Sequence, residues 1–337
     1  MKRVNEMSDA TLSVIIFVLV MVVIISEKVH RAVCAVGGAV LLIILGVLDI
    51  GTGVSYIDYN TIGLLIGMMM FVAVVKHSGM FEYLAVKSAK VAKGDPWKMM
   101  IFFIIITAVL SGLLDNVTTV LLVGPMTFAI TKEMDLNPVP YIMTQILASN
   151  IGGTGTLIGD PPNIIIGTSL GFSFTDFLTN TGLIAIISLI FVVIYFYFVF
   201  GKELRRDAAK NSNANQNYPD PSEAITDKKG FIISTIIFLC AVCLLVTHAQ
   251  TGLTVSCIGT VIAIVTLIAA GKEGPGLLKK IDYKTLLFFI GLFVVVGGLE
   301  QTGVLIVMAN FIGSVSDGNA MLMLAIIVLV SAVASAF

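Results

Sequence analysis

The stretch from Ala148 to Gly167, "ASNIGGTGTLIGDPPNIIIG", decides how the rest of the chain is read. It lies between apolar runs, yet it holds Gly152, Gly153, Gly155 and Gly159, the prolines Pro161 and Pro162, and the small polar side chains Ser149, Asn150, Thr154, Thr156, Asp160 and Asn163. Glycine lets a backbone unwind and approach a ligand closely. Two successive prolines stop a running helix but are tolerated at the start of a new one. The expected structure is a broken helix over 139–171, its first half ending near Ser149 and Asn150 and its second starting near Asn163. The first half then directs carbonyls at the gap and the second directs free N–H groups, so one end suits a cation and the other an anion. The glycines do not form a nucleotide loop, because "GGTGTLIGD" contains neither G-x-x-x-x-G-K-[ST] nor a completed G-x-G-x-x-G. Close helix packing is the other known use of such small residues.

Composition places this break in a membrane. Of 337 residues, 57% are hydrophobic and 12% charged, against roughly a quarter charged in soluble domains. The fold class expected is an all-α polytopic membrane protein. A net charge of -1 gives no footprint for nucleic acid. A helix needs about 20 apolar residues to cross a ~30 Å bilayer core. Candidate spans are 10–26, 32–48, 61–76, 182–200, 231–247, 252–270 and 285–299. The apolar stretches 98–114, 117–131, 139–149 and 163–171 are too short, or too closely joined, for simple spans and read as re-entrant or broken helices. Irregular backbone at that depth must be buried in protein or line a wet cavity. The first span follows a basic start without a small-residue cleavage site, so it is expected to be retained. Cys34, Cys240, Cys243 and Cys257 lie in apolar runs with no second ligand pair, and His30, His77 and His248 are scattered near segment ends. Neither group points to metal or redox chemistry.

Residues 201–229, "GKELRRDAAKNSNANQNYPDPSEAITDKK", read as a cytoplasmic linker that divides the chain into a first repeat at 1–200 and a partial second repeat at 230–337. Sliding "IDYNTIGLLIGMMMFVAVVKHSG" (57–79) onto "IDYKTLLFFIGLFVVVGGLEQTG" (281–303) needs an offset of 224 and no gap. Lys and Arg concentrate in 26–31, 76–98, 201–229 and 271–284, whereas 49–60, 248–251 and 300–319 have none. By the positive-inside rule the first set is expected in the cytoplasm and the second outside. The basic loop 76–98 is then the repeat partner of 300–322, which has no Lys or Arg, so equivalent loops are expected on opposite sides, which is the mark of an inverted repeat. Lys2 and Arg3 fall on the outer side in this scheme and disagree with it.

In the first repeat, "LSGLLDNVTTVLLVGPMT" (110–127) sets Asp115 and Asn116 between two apolar arms, forming a hairpin over 98–131. An ionised Asp near mid-membrane costs about 2.5–3.5 kcal/mol on insertion scales, which points to use. With Thr118 and Thr119 the tip offers hard oxygen donors, suited to a small cation and not to a soft metal. Asp160 is the second intramembrane carboxylate. The candidate ion-binding set is Asp115, Asn116, Thr118, Thr119, Ser149, Asn150, Gly152, Gly153, Thr154, Thr156, Asp160 and Asn163. Sodium is placed among Asp115, Asn116, Ser149 and Asn150.

Together "SNIGGTGTLIGDPPN" and "DNVTTVLLVGPMT" resemble the ion transporter superfamily, nearest its branch of arsenite permeases, NhaD-type sodium/proton antiporters and P protein. Citrate transporters and divalent anion/sodium symporters are its further members. The resemblance implies an elevator-type fold of two inverted repeats, each with scaffold helices, an entering hairpin and a broken helix. In the symporters a Ser-Asn-Thr tip helps to bind sodium, and the matching positions are Asp115, Asn116 and, shifted by Val117, Thr118. Aspartate in place of serine means that dicarboxylate specificity does not carry over. The counterpart of the Asp-Asn tip falls just beyond Phe337, so the sequence is expected to be C-terminally truncated inside the second hairpin.

The function expected is secondary active transport of a small inorganic or organic ion, coupled to sodium or protons, in the plasma (inner) membrane. Sodium, arsenite, chloride and carboxylate all remain open as cargo. A passive anion conductance and a sodium-coupled carboxylate symport are the alternatives. An enzyme is not expected, since no nucleophile and base are paired at a recognisable spacing. Partners expected are the ion, the lipid bilayer and, by the resemblance, a second copy in a homodimer, with no cofactor beyond a coupling sodium ion or proton.

Overall fold

The computed structural model describes residues 2–93, 95–211, 222, 225, 227–271 and 274–335, and its described residues form sixteen helices. In order these are α1 (Lys2–Ile25), α2 (Arg31–Ile44), α3 (Ile50–Ser55), α4 (Tyr59–His77), α5 (Met80–Ala92), α6 (Pro96–Ser111), α7 (Asn116–Glu133) and α8 (Val139–Thr154). There follow α9 (Pro161–Leu170), α10 (Phe174–Asn211), α11 (Lys228–Thr251), α12 (Val255–Ala270), α13 (Gly274–Leu278), α14 (Tyr283–Gln301), α15 (Val304–Val315) and α16 (Ala320–Ser335). Among the described residues α4, α10, α11 and α14 are long and apolar enough to cross a bilayer. Rows of exposed large apolar side chains, such as Phe191, Ile194 and Phe198 on α10, suit a lipid face rather than water.

Helix ends follow from local chemistry that recurs 224 positions later. Asp58 accepts from the Asn60 N–H at 2.9 Å and from the Thr61 hydroxyl at 2.5 Å, and Asp282 accepts from Lys284 N–H at 3.1 Å and the Thr285 hydroxyl at 2.6 Å. Such a cap is worth about 1 kcal/mol. Gly79 and Gly303 then take φ of 80° and 76°, and Asp95 and Asn319 cap the next helices through the N–H groups two and three residues on. As a result α4 and α14 coincide in both boundaries under the shift, as do α6 and α16.

The chain forms two compact units, one of Met1–Ile62 with Asp282–Phe337 and one of Gly63–Ile281. In the first, α14 lies in the angle of α1 and α2. Three of its glycines make this approach possible: a Cβ at Gly291 would lie 2.5 Å from the Ala35 carbonyl carbon, and Gly297 and Gly298 press on Tyr56 and Leu42. In the second unit α4 meets α12 through Gly67 and Gly259, backbone against backbone. Membrane helices gain little from burying apolar surface against each other, so small residues that allow close van der Waals contact hold them together. Around this crossing Leu64, Phe71, Ile237, Leu245, Ile258 and Ile262 are buried. A second cluster, with Met99, Met100, Phe103, Ala148 and Tyr141, joins α5, α6, α8 and α10.

Three expectations change. The basic segment 76–98 contains α5, whose Ala85, Ala89 and Ala92 pack inward while Lys87 and Lys90 ride on the same helix. The expected linker at 201–229 begins as helix, since α10 runs on to Asn211; residues 212–221, 223, 224 and 226 lie outside the described residues, as do Gly94 and Phe337. The first half of the broken helix ends at Thr154, not near Ser149 and Asn150, and the second starts at Pro161. Gly152 does not break α8, because it is pressed against the α6 backbone at Ala108.

Candidate functional site

The tip between α6 and α7 and the break between α8 and α9 are stitched together within the second unit. Ser111, fully buried at the end of α6, donates its hydroxyl to the Ser149 carbonyl at 2.6 Å. The next residue, Gly112, accepts from the Thr156 hydroxyl, which in turn accepts from the Gly159 N–H at 3.1 Å. One turn further, Asn116 Nδ2 donates to Asn150 Oδ1 at 2.9 Å. A side chain at Gly112 would meet the Gly152 carbonyl and the Thr156 methyl, each at 3.2 Å. The two segments therefore form one structure.

Asp115 is the N-cap of α7. Its Oδ1 accepts from the Thr118 N–H at 2.8 Å, and its carbonyl accepts both the N–H and the hydroxyl of Thr119, at 3.0 and 2.9 Å. The Val117 N–H donates to Asn116 Oδ1 at 2.8 Å. The N–H groups of Val117, Thr118 and Thr119 are thus consumed within the first turn of α7.

Asp160 precedes α9 with extended backbone (φ −135°, ψ 140°) and its side chain makes no cap hydrogen bond. The carboxylate folds back over Gly153, where a Cβ would lie 2.7 Å from Oδ2. Asp115 and Asp160 belong to the two segments that the Ser111, Asn116 and Thr156 hydrogen bonds join. Asn163 Nδ2 reaches back to the carbonyls of Gly153 and Thr156, at 3.1 and 2.8 Å, holding the six-residue break in shape. Thr154 is exposed and donates to the Ile151 carbonyl at 2.9 Å. Ser149 Oγ donates to Ile146, so its hydroxyl faces its own helix.

One expectation about the gap is overturned. The second half-helix was expected to aim free N–H groups at the gap, but its first two residues, Pro161 and Pro162, have none, and the Asn163 N–H donates to the Asp160 carbonyl at 3.0 Å. The carbonyls of Ile151, Gly152 and Gly153 at the end of α8 already accept from Thr154, Gly155 and Asn163, which leaves the Asp160 carboxylate, with no cap hydrogen bond, as the strongest acceptor beside the break. Carboxylate oxygens from Asp115 and Asp160 match a small hard cation or a proton. Among the described residues no group of three or more His, Cys, Asp or Glu could hold a metal ion, so carbonyl and hydroxyl oxygens must complete any cation shell.

The twelve candidate residues lie along the tip, the end of α8, the break and the first turn of α9, with Asn150 and Thr154 exposed. Sequence reasoning missed Ser111, Gly112 and the α10 residues behind the break. A Cβ at Gly155 would lie 3.2 Å from the Ala185 Cβ, and one at Gly182 would lie 3.2 Å from the Gly155 carbonyl. The available signal was the pair Ser111–Gly112 at the end of an apolar run, where a hydroxyl needs a partner.

Residues 21–337 match the protein-family description "Citrate transporter". An uncharacterized transporter of Mycobacterium bovis is 34% identical over 318 residues, covering 92% of this chain and 72% of its own length. One of Synechocystis sp. is 29% identical over 317 residues, covering 92% and 70%. The P protein of Homo sapiens is 38% identical over 180 residues, half of this chain and 22% of its own length.

Proposed function

Because the chain belongs to the citrate transporter family, we propose that it is a secondary active transporter in which Na⁺ or H⁺ binds between Asp115 and Asp160 and drives the passage of a small ion. Its family and relatives are transporters, not enzymes, and it is an integral multi-pass membrane protein. The observation that carries the cation reading is that α9 opens on Pro161–Pro162, which offer no N–H, beside an Asp160 carboxylate that makes no cap hydrogen bond. Asp115, Asn116 and Asn150 hold the cation from the tip side, Asp160 from the break. Thr118, Thr119, Thr156 and Asn163 fix the backbone around it. The Lys-rich 76–98 set against 300–322, which has no Lys or Arg, supports reading the two repeats as inverted and the tip and break as moving against scaffold helices.

The test is ²²Na⁺ uptake into proteoliposomes carrying an outward proton gradient. Uptake driven by that gradient, reduced more than tenfold in Asp115→Asn and Asp160→Asn, is the expected result. Flux that follows voltage alone would select a passive conductance instead. A second reading, sodium-coupled carboxylate symport, is favoured by the family's own description. Sodium-dependent [¹⁴C]citrate uptake without proton-driven sodium movement would replace the first reading with the second.

A further inference from the structure

We propose that His248 is a positioning residue for the helix break, tethering α10 to α11 only while its imidazole is neutral. The first N–H groups of a helix have no acceptor within it. At α10, Ser173 and Asp176 answer each other: Ser173 donates its N–H and hydroxyl to Asp176 Oδ2 at 2.8 and 2.7 Å, and the Asp176 N–H returns to the Ser173 hydroxyl at 3.1 Å. The Phe174 N–H goes elsewhere. It crosses to α11 and donates to His248 Nε2 at 2.8 Å, while the Thr175 hydroxyl makes a longer bond to the Val246 carbonyl at 3.3 Å.

A ring nitrogen that accepts a hydrogen bond carries no proton, and the imidazolium ion has N–H on both nitrogens. The contact to Phe174 therefore fixes the tautomer with its proton on Nδ1 and is abolished by a second proton. The ionisable group that α10 carries beside this contact is the Asp176 carboxylate, in its first turn. The last turn of α11 holds no other ionisable side chain, and the first turn of α12 contributes Cys257. Two states result. Neutral His248 holds the α10 backbone, and cationic His248 turns to Asp176. Histidine is the side chain whose ordinary chemistry changes charge between pH 5 and 8.

The consequence reaches the break through α10. Eight residues after Phe174, about 12 Å along the helix, Gly182 and then Ala185 lie against Gly155. Releasing the start of α10 frees that contact to shift. Residues 248–251 belong to the Lys- and Arg-free side, so the latch reads the outer pH. It stands on the fold alone, whatever ion the site binds.

Hydrogen exchange of the segment 172–178 tests it, in the full chain in nanodiscs, with rates normalised to an unstructured peptide at each pH. Between pH 8 and pH 5 the protection of the Phe174 amide should fall about tenfold, the size of one lost hydrogen bond. His248→Gln keeps an acceptor that does not titrate and should stay protected at both pH values. His248→Leu should be unprotected at both. Protection independent of pH in the unsubstituted chain, a pH-dependent loss in His248→Gln, or full protection in His248→Leu would each overturn the proposal.

Discussion

A methyl group at Gly67 would strike the backbone carbonyl of Gly259, whereas one at Gly153 would strike the carboxylate of Asp160, 2.7 Å away. Both glycines are buried, and both belong to runs that look alike in sequence. At Gly67 the obstacle is another helix, fixed by its own hydrogen bonds. At Gly153 it is the end of a side chain that can rotate aside. The first glycine therefore holds helices together, and the second makes room for a charge. The Gly291–Ala35 crossing, at the positions 224 residues from Gly67 and Gly259, repeats the first use and not the second.

The largest effect that would break this contrast is at the crossings. Gly67→Val and Gly291→Val should each destabilise by about 3 kcal/mol, the upper range for overpacking, seen as loss of a monodisperse, heat-stable species. A well-folded Gly67→Val protein would show that the two kinds of glycine do not differ. Gly153→Ala should leave thermal stability within about 1 kcal/mol, since only a side chain has to move, yet weaken sodium binding about tenfold. The smallest effect sharpens the likeness of the repeated helices. Asp58→Ala and Asp282→Ala should each cost about 1 kcal/mol, and a marked inequality in thermal melts would show that the shared caps do not carry equal weight.

Much of this arrangement was legible because it is written in residues with few uses. Glycines and paired prolines marked the break, and a charged pair inside an apolar run marked the tip. The end of α8 was misread because Gly152 was taken as a breaker, while contact with Ala108 keeps it helical. Helix α5 was hidden because its lysines share a short helix with the alanines that pack it, and a basic run reads first as loop. The extension of α10 followed from "KELRRDAAK", polar but made of good helix formers. The donor shortage at α9 was present in the sequence all along: Pro161 and Pro162 were read as interruptions and not as missing N–H groups. Only tertiary structure could show Gly182 behind Gly155, or His248 beneath Phe174.

The most direct trial of the cation reading is equilibrium binding of ²²Na⁺ to the purified chain, with Asp115→Asn and Asp160→Asn beside it. Saturable binding that protons displace, lost in both variants while their melting is retained, is the predicted result. Undiminished binding in either variant, or none in the unsubstituted chain, would contradict the cation site.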